Sequence, residues 1–349
     1  MPVHLDIAGQ SPPAEAPQEA LSGPLRDSHG RAIRDLRLSV TDRCNFRCVY
    51  CMAPDVRYIP KLQLLTLEEY VRIVRIAMSL GITKLRITGG EPTLYPHLDD
   101  FIEQVGGLGL RDLAMTTNGS RLRTHWAERW KRHGLKRLTI SLDTLRPDRK
   151  DAITRAQTSL ESIIHAVSIA KDAGLDPVKV NAVIIRGVND DELASFADFA
   201  LEHGVDMRLI EFMPLDAGGR WERRHVVTAD EMIDRLGRTH TLEVQDDPPN
   251  STSINYRIAN SDGRIGIIAS VSRAFCDGCD RLRIMADGKV RPCLFSDDEW
   301  DLKPLLRRGA SDADIAGFLR GVVWNKSPGH SMNHDDFKRP SKTMSTIGG

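Results

Sequence analysis

Six cysteines fall into two triplets, Cys44-x3-Cys48-x2-Cys51 near the start of the chain and Cys276-x2-Cys279 with Cys293 near its end, and no cysteine lies outside them. Thiolates select soft metals, iron–sulfur clusters and zinc among them. Three thiolates fill only three corners of a four-iron cubane, which would leave one iron of each cluster open to a ligand that is not a protein side chain. Two such clusters would capture two small molecules. Structural zinc is the competing interpretation, because short C-x2-C spacings also build zinc sites. A closed zinc site wants four ligands, however, and neither triplet has a histidine at finger-like spacing. Disulfides fit least, since a chain of 349 residues can bury a core without staples and no segment reads as an export signal.

Charge limits the partners. Lys plus Arg number 48 and Asp plus Glu number 48, so no global field favours nucleic acid or a membrane, and recognition of any anion must be local. The first thirty residues are rich in proline, alanine and acidic groups, without a basic n-region or an apolar h-region. They read as a disordered extension and not as a signal peptide. No apolar run approaches a membrane span, so a cytoplasmic protein is expected.

The elements that must position the cysteines are short β-rich segments alternating with amphipathic helical stretches. Strands are predicted at 36–40, 84–88, 112–116, 137–142, 178–185 and 207–212, and a helix over 67–80, where Val71, Val74, Ala77 and Met78 recur at helical spacing behind a Thr66/Glu69 capping box. The run at 178–185 is apolar enough to suggest burial on both faces. Successive βα units imply a parallel sheet. Six are too few for a closed eight-fold barrel, so the predicted fold is α/β, a partial (βα)6 TIM-like barrel in preference to a doubly wound sheet. Polar and glycine-rich signals follow the strands: the first cysteine loop, Gly89-Gly90-Glu91-Pro92, Thr117-Asn118-Gly119 and Asp143-Thr144. Singly these are ordinary βα turns. Together they occupy the carboxyl ends of parallel strands, the face that carries active sites.

The loop Leu38-Ser39-Val40-Thr41-Asp42-Arg43-Cys44-Asn45-Phe46-Arg47-Cys48-Val49-Tyr50-Cys51 resembles that of the radical S-adenosylmethionine (SAM) superfamily, and Gly89-Gly90-Glu91-Pro92 resembles its SAM-binding turn. More narrowly, Ile210-Glu211-Phe212-Met213, Ser270-Val271-Ser272 ahead of Phe275-Cys276-x2-Cys279, Cys293-Leu294-Phe295 and the terminal Gly348-Gly349 are similar to the GTP 3′,8-cyclase family, which begins molybdenum cofactor biosynthesis. The resemblance runs from about residue 36 to residue 349.

It implies two [4Fe–4S] clusters, one on Cys44, Cys48 and Cys51 that binds SAM, the other on Cys276, Cys279 and Cys293 that receives the guanine of GTP. Tyr50, Gly90, Glu91, Ser141 and Met213 fall on SAM-contacting positions of the family, Gly90 by permitting close backbone approach. Arg37, Lys84, Arg86, Thr116, Lys179, Arg208, Arg281 and Arg283 fall on GTP-contacting positions. Gly348 and Gly349 would insert toward the active site and be needed for activity, with Arg283 tuning or protonating the intermediate. The implied lyase reaction is radical addition of ribose C3′ to guanine C8. Implied partners are a flavodoxin or ferredoxin electron donor, a downstream cyclic pyranopterin monophosphate synthase and a second copy of the chain in a homodimer. The implied organisation is a disordered extension (1–30), a radical SAM partial barrel (31–235) and a C-terminal auxiliary-cluster and GTP-binding region with the tail (236–349). Within it, 239–264 reads as either a hairpin connection or part of the auxiliary region.

Without the resemblance, Met213 is an ordinary core methionine and the last glycines a frayed terminus. Cations inside predicted buried strands are different: Arg37, Arg86 and Lys179 need a counterion, which a triphosphate would supply. Two other functions remain, a peptide-modifying radical SAM enzyme and a zinc-stabilised binding module. The chain departs from the family in a longer N-terminal extension and a shorter 52–61 segment, so contacts near Met52 and Pro54 do not transfer.

Overall fold

Alternation within the strands decides the architecture. Leu36 and Leu38 in β1 (Asp35–Ser39), Leu85 and Ile87 in β2 (Lys84–Thr88), Leu113 and Met115 in β3 (Asp112–Thr117), and Leu138 and Ile140 in β4 (Arg137–Ser141) are buried in one continuous apolar core. So are Val180, Ala182 and Ile184 in β5 (Lys179–Ile184) and Met207 and Leu209 in β6 (Asp206–Glu211). Successive side chains of a strand point to opposite faces. The intervening Arg37, Arg86, Thr116, Thr139, Asn181 and Arg208 therefore face away from that core, and all of them line one cavity. The computed structural model describes residues 22–333 and 337–348, together with residues 13 and 16–18.

Helices α1 (Leu67–Ser79), α2 (Leu98–Gly106), α3 (Thr124–Arg132), α4 (Pro147–Thr154), α5 (Leu160–Asp172) and α6 (Leu193–His203) connect the strands. Most bury an apolar stripe in the common core, for example Tyr70, Ile73 and Val74 of α1. The predicted capping box opens α1: Glu69 N donates to Thr66 Oγ1 at 3.3 Å and Thr66 N to Glu69 Oε2 at 2.8 Å. Helix α7 (Ala229–Leu236) follows β6, with Thr228 and Glu231 forming a second capping box. Among the described residues no helix is long and apolar enough to cross a membrane.

The sheet holds more than the six expected strands. After the antiparallel hairpin β7 (Leu242–Val244) and β8 (Ile254–Ile258), β9 (Arg264–Ile268) pairs parallel with β6. On the opposite edge β10 (Arg281–Ile284) pairs parallel with β1, followed by antiparallel β11 (Lys289–Arg291) and β12 (Trp300–Asp301). The order is β12-β11-β10-β1-β2-β3-β4-β5-β6-β9-β8-β7. Neither β9 nor β10 is approached through a helix, so the βα rhythm gave no sign of them. Side chains from all eight parallel strands line the cavity, so the sheet curves around it as an incomplete barrel. The connection 269–280, which carries Cys276 and Cys279, crosses from one edge of that parallel array to the other. Helices α8 (Lys303–Arg307) and α9 (Asp312–Trp324) follow, and the one-turn α10 (Met344–Ile347) precedes the tail.

Two expectations need correction. The 178–185 segment is not buried evenly: within β5 Lys179, Asn181 and Val183 face the cavity, because the interior of this barrel is a ligand-sized space and not a second packed layer. The extension ends earlier than residue 30. Leu25 is fully buried, donates from its N to Leu80 O at 2.7 Å and accepts from Ile33 N at 2.9 Å, so packing begins once an apolar side chain can reach the core.

Candidate functional site

The first cysteine loop leaves β1 and is held from two sides. Gly90 N donates to Thr41 O and Glu91 N to Arg43 O, both at 2.7 Å, while Arg47 N and Val49 N donate to the last carbonyls of α4. The glycines of the Gly-Gly-Glu-Pro turn are dictated by this contact: a Cβ on Gly90 would lie 2.3 Å from Arg43 O, and one on Gly89 2.6 Å from Thr41 O. The close approach at Gly90 is thus by the cysteine loop. Glu91 is buried, and its Oε1 accepts from Thr93 N, Thr93 Oγ1 and Thr117 Oγ1, its Oε2 from Asn118 N. It ties the turn after β2 to the loop after β3 and keeps acceptor capacity on Oε2.

Cys44, Cys48 and Cys51 all line the cavity. Phe46 N donates to Cys44 Sγ at 3.3 Å, and Asn118 Nδ2 lies 4.0 Å from the same sulfur. Burial pushes all three thiols up, Cys44 to about 11, so without metal they keep their protons and metal binding must release them. Three buried sulfurs on one cavity wall, one of them approached by N–H donors, fit an iron–sulfur cluster with one open corner. Tyr50, one residue before Cys51, donates its hydroxyl to Asp143 Oδ2 at 2.7 Å, and burial raises Asp143 to about 6.

The second triplet is assembled from two elements. Cys276 and Cys279 share a turn, Cys279 N to Cys276 O at 3.0 Å, immediately before β10. Arg283 of β10 faces Arg291 of β11, and the same register carried two residues further sets Cys293 opposite Arg281. Buried Lys326 donates to the carbonyls of Arg281 and Pro292, fastening the two sides together. Arg281 Nε donates to Cys279 Sγ at 3.3 Å. Burial raises the Cys279 thiol, but Arg281 and Lys326 outweigh it and bring it down to about 6, which favours a thiolate ligand.

Two separate sequence motifs meet at Glu211, the last residue of β6. Its fully buried carboxylate accepts from Val271 N at 2.6 Å and Ser272 N at 2.8 Å, from Ser272 Oγ, and from Ala229 N at 2.8 Å at the start of α7. The Ile-Glu-Phe-Met and Ser-Val-Ser segments are therefore one hydrogen-bonded unit, which aims the chain toward Cys276.

Between the two triplets lies a cavity of about 580 Å³. Arg283, Arg37 and Arg86 sit side by side in register across β10, β1 and β2. Lys84 lies between Asp35 and Asp112, and Lys179 is 3.6 Å from Asp206. Burial, reinforced by neighbouring arginines, pulls Arg86 down to about 9, Arg208 to about 10 and Lys179 to about 8, and it lowers Arg37 and Arg283 as well. Arg86 Nη1 donates to Thr116 Oγ1 and Thr139 Oγ1. The buried Nε atoms of Arg37 and Arg86 and Oδ1 of Asn181 have no hydrogen-bond partner among the described residues. So many desolvated cations with donors to spare suit a polyanion.

Every predicted metal, SAM and GTP residue lines this cavity, including Ser141 at the end of β4 and Met213, which also packs against the small apolar cluster of Val226, Val271 and Met332. Gly348 approaches it: its carbonyl accepts from Arg283 Nη1 at 3.0 Å, its φ is +74°, and a Cβ there would lie 2.9 Å from Thr88 Oγ1. Gly349 lies outside the described residues. Sequence reasoning missed Thr139, Asn181, Arg137 and His330, which line the same space, and it singled out Asp143 only as a turn signal after β4. The first two were findable by counting alternate positions from Ser141 and Lys179.

Residues 38–200 match the Radical SAM superfamily and residues 205–332 match Molybdenum Cofactor Synthesis C. The fold is similar to that of Streptococcus suis SuiB bound to S-adenosylmethionine, with a TM-score of 0.60 at 14% identity over 94% of this chain and 77% of that one. A second SuiB structure gives a TM-score of 0.55 at 17% identity, with 76% of this chain covering 62% of that one. Fold and cysteine loop together define a radical SAM protein, which uses SAM and iron–sulfur chemistry. At 43% identity the chain matches the GTP 3′,8-cyclase of Mycolicibacterium smegmatis over 98% of its own length and 95% of the relative's. It matches that of Streptomyces coelicolor, also at 43%, over 93% and 96%. The chain belongs to the GTP 3′,8-cyclase family, and a zinc-stabilised binding module is set aside.

Two variants test how the loops are held. Gly90→Ala forces a Cβ into the Arg43 carbonyl, an overpacking cost of about 1–3 kcal/mol; reconstituted protein should lose iron and SAM cleavage while its circular dichroism stays that of the folded barrel. Glu211→Gln puts an amide donor against N–H groups, at a cost of about 1–3 kcal/mol. Iron analysis should show poorer retention at the second triplet, with SAM binding unchanged.

Proposed function

We propose that this chain converts GTP to (8S)-3′,8-cyclo-7,8-dihydroguanosine 5′-triphosphate, the radical SAM lyase reaction that opens molybdenum cofactor biosynthesis. The observation that carries it is the cavity walled by buried cations between two cysteine triplets. Cys44, Cys48 and Cys51 would hold one [4Fe–4S] cluster, which would bind SAM, and Cys276, Cys279 and Cys293 would hold a second, which would receive the guanine. What the first cluster and SAM supply when bound is one-electron cleavage of the sulfonium, and with it a radical able to take hydrogen from C3′ of the ribose.

The chain's own residues bind, orient and exclude water. Tyr50, Gly90, Glu91, Ser141 and Met213 line the SAM half. Arg37, Lys84, Arg86, Lys179 and Arg208 take the triphosphate, with Thr116 and Thr139 fixing the Arg86 fork. Arg281 and Arg283 stand at the base end, where the Gly348 carbonyl on Arg283 brings the tail against the reacting region. Residues 31–235 supply the SAM half, and residues 236–349 supply the second cluster, the base end and the tail. An electron donor of the flavodoxin or ferredoxin class and a downstream cyclic pyranopterin monophosphate synthase complete the pathway. A peptide substrate would leave the cation lining without purpose.

Anaerobic turnover with SAM, GTP and dithionite, followed by mass spectrometry, should give 5′-deoxyadenosine and cyclised nucleotide together, both dependent on GTP; 5′-deoxyadenosine alone would overturn GTP as the substrate. Deleting Gly348 and Gly349 should abolish nucleotide product while leaving iron content and SAM binding unchanged. Lys179, pulled down to about 8, carries its proton below that pH and loses it above. GTP affinity should therefore weaken by about tenfold, ~1.4 kcal/mol, as pH rises from 7 to 9, and calorimetric titration of Lys179→Ala should show that dependence flattened.

A further inference from the structure

The basic groups around the first cysteine loop are not all turned inward. Arg43 and Arg57 are exposed, and Arg43 and half-buried Arg47 bring their guanidinium carbons to 5.3 and 5.5 Å from the centre of the Tyr58 ring. Tyr58 in turn donates its hydroxyl to the Cys44 carbonyl at 2.8 Å. Two adjoining loops add to this face. Asn45 Nδ2 donates to Ser120 Oγ at 2.8 Å, which sets exposed Arg121 beside the cysteine loop. Arg47 N donates to Thr154 O at 2.8 Å, which sets exposed Arg155 on its other side. Within residues 41–61, Asp42 is buried and accepts from Ile59 N, leaving Asp55 as the exposed carboxylate against Arg43, Arg47, Arg57 and Lys61. A chain of zero formal charge has gathered a cationic surface at one place, over the backbone of Cys44.

We infer that this face, Arg43, Arg47, Arg57, Arg121 and Arg155 around Tyr58, is the docking surface for a small acidic one-electron carrier protein. The inference rests on the activity proposed above, which needs one electron delivered to the first cluster from outside. Charge complementarity of this kind steers encounter and sets its salt dependence more than it sets final affinity. Residue Arg43 adjoins Cys44 in the chain, and Tyr58 reaches the Cys44 carbonyl through one hydrogen bond, so a carrier seated here is connected to the cluster ligand by one peptide bond and one hydrogen bond. Single-stranded nucleic acid fits less well, because it wants free aromatic faces for stacking and the Tyr58 ring is taken up by two arginines.

The test compares two reductants on one reconstituted holoenzyme, reduced flavodoxin as the carrier and dithionite as the small reductant, reading 5′-deoxyadenosine formation. The variant is Arg57→Glu with Arg121→Glu, neither of which touches a cysteine or the cavity. At low ionic strength the carrier-driven rate should fall by about tenfold, within the range that steering supplies. Added salt should slow the carrier-driven wild type toward the variant, and the dithionite-driven rate and iron content should be unchanged. A carrier-driven rate unmoved by the double substitution overturns the docking face and leaves the proposed activity standing. Equal loss with both reductants also overturns it, by placing the arginines in the maintenance of the site. Wild-type protein that cleaves no SAM with dithionite overturns the activity, and this inference with it.

Discussion

Burying like charges side by side is the constraint on which the rest of the molecule depends. Arg283, Arg37 and Arg86 stand abreast across three adjacent strands, with Lys179 and Arg208 on the facing wall, and burial lowers the pKa of each. Such an interior opposes folding unless the other face of the same strands compensates. It does so through the alternating Leu, Ile, Val and Met positions, which join the helices in one core. A barrel that filled its centre with side chains would be more comfortable and would bind nothing. Here the instability is stored where an anion can relieve it.

Each cysteine loop is secured by one buried glutamate at the carboxyl end of a neighbouring strand. Glu91 clamps the turn that presses on the first loop, and Glu211 clamps the run-up to the second. Both carboxylates accept from backbone and hydroxyl donors, which makes them organisers of loop path. A metal-binding loop must be preorganised, because three ligands on a floppy chain would pay the ordering entropy at the moment of binding.

Much of this was legible in the residues. The cysteine spacing, the turn signals after each strand and the cations inside predicted strands all converge on one cavity. Local pattern sufficed there because a βα unit is a local structure. What escaped was non-local. Strands β9 and β10 are short, arrive without helices and pair with β6 and β1 only because the chain crosses between the two edges. The reason for glycine at positions 89 and 90 was also hidden, since the atoms that forbid a side chain belong to Thr41 and Arg43, nearly fifty residues earlier. The contacts made by Glu211 were invisible for the same reason, although both partner segments had been singled out.

The pairing of β1 with β10 has a consequence for synthesis of the chain. Arg37 must wait for Arg283 to emerge before its strand gains a neighbour on that side. Until then β1 is a sheet edge with unpaired backbone groups, the situation that invites pairing with the wrong chain. Contacts this distant in sequence also close slowly. The wall that completes the cavity, the second set of thiols and the tail are therefore all late arrivals. The nascent protein cannot enclose this cavity until β10 has followed β9 and come back beside β1.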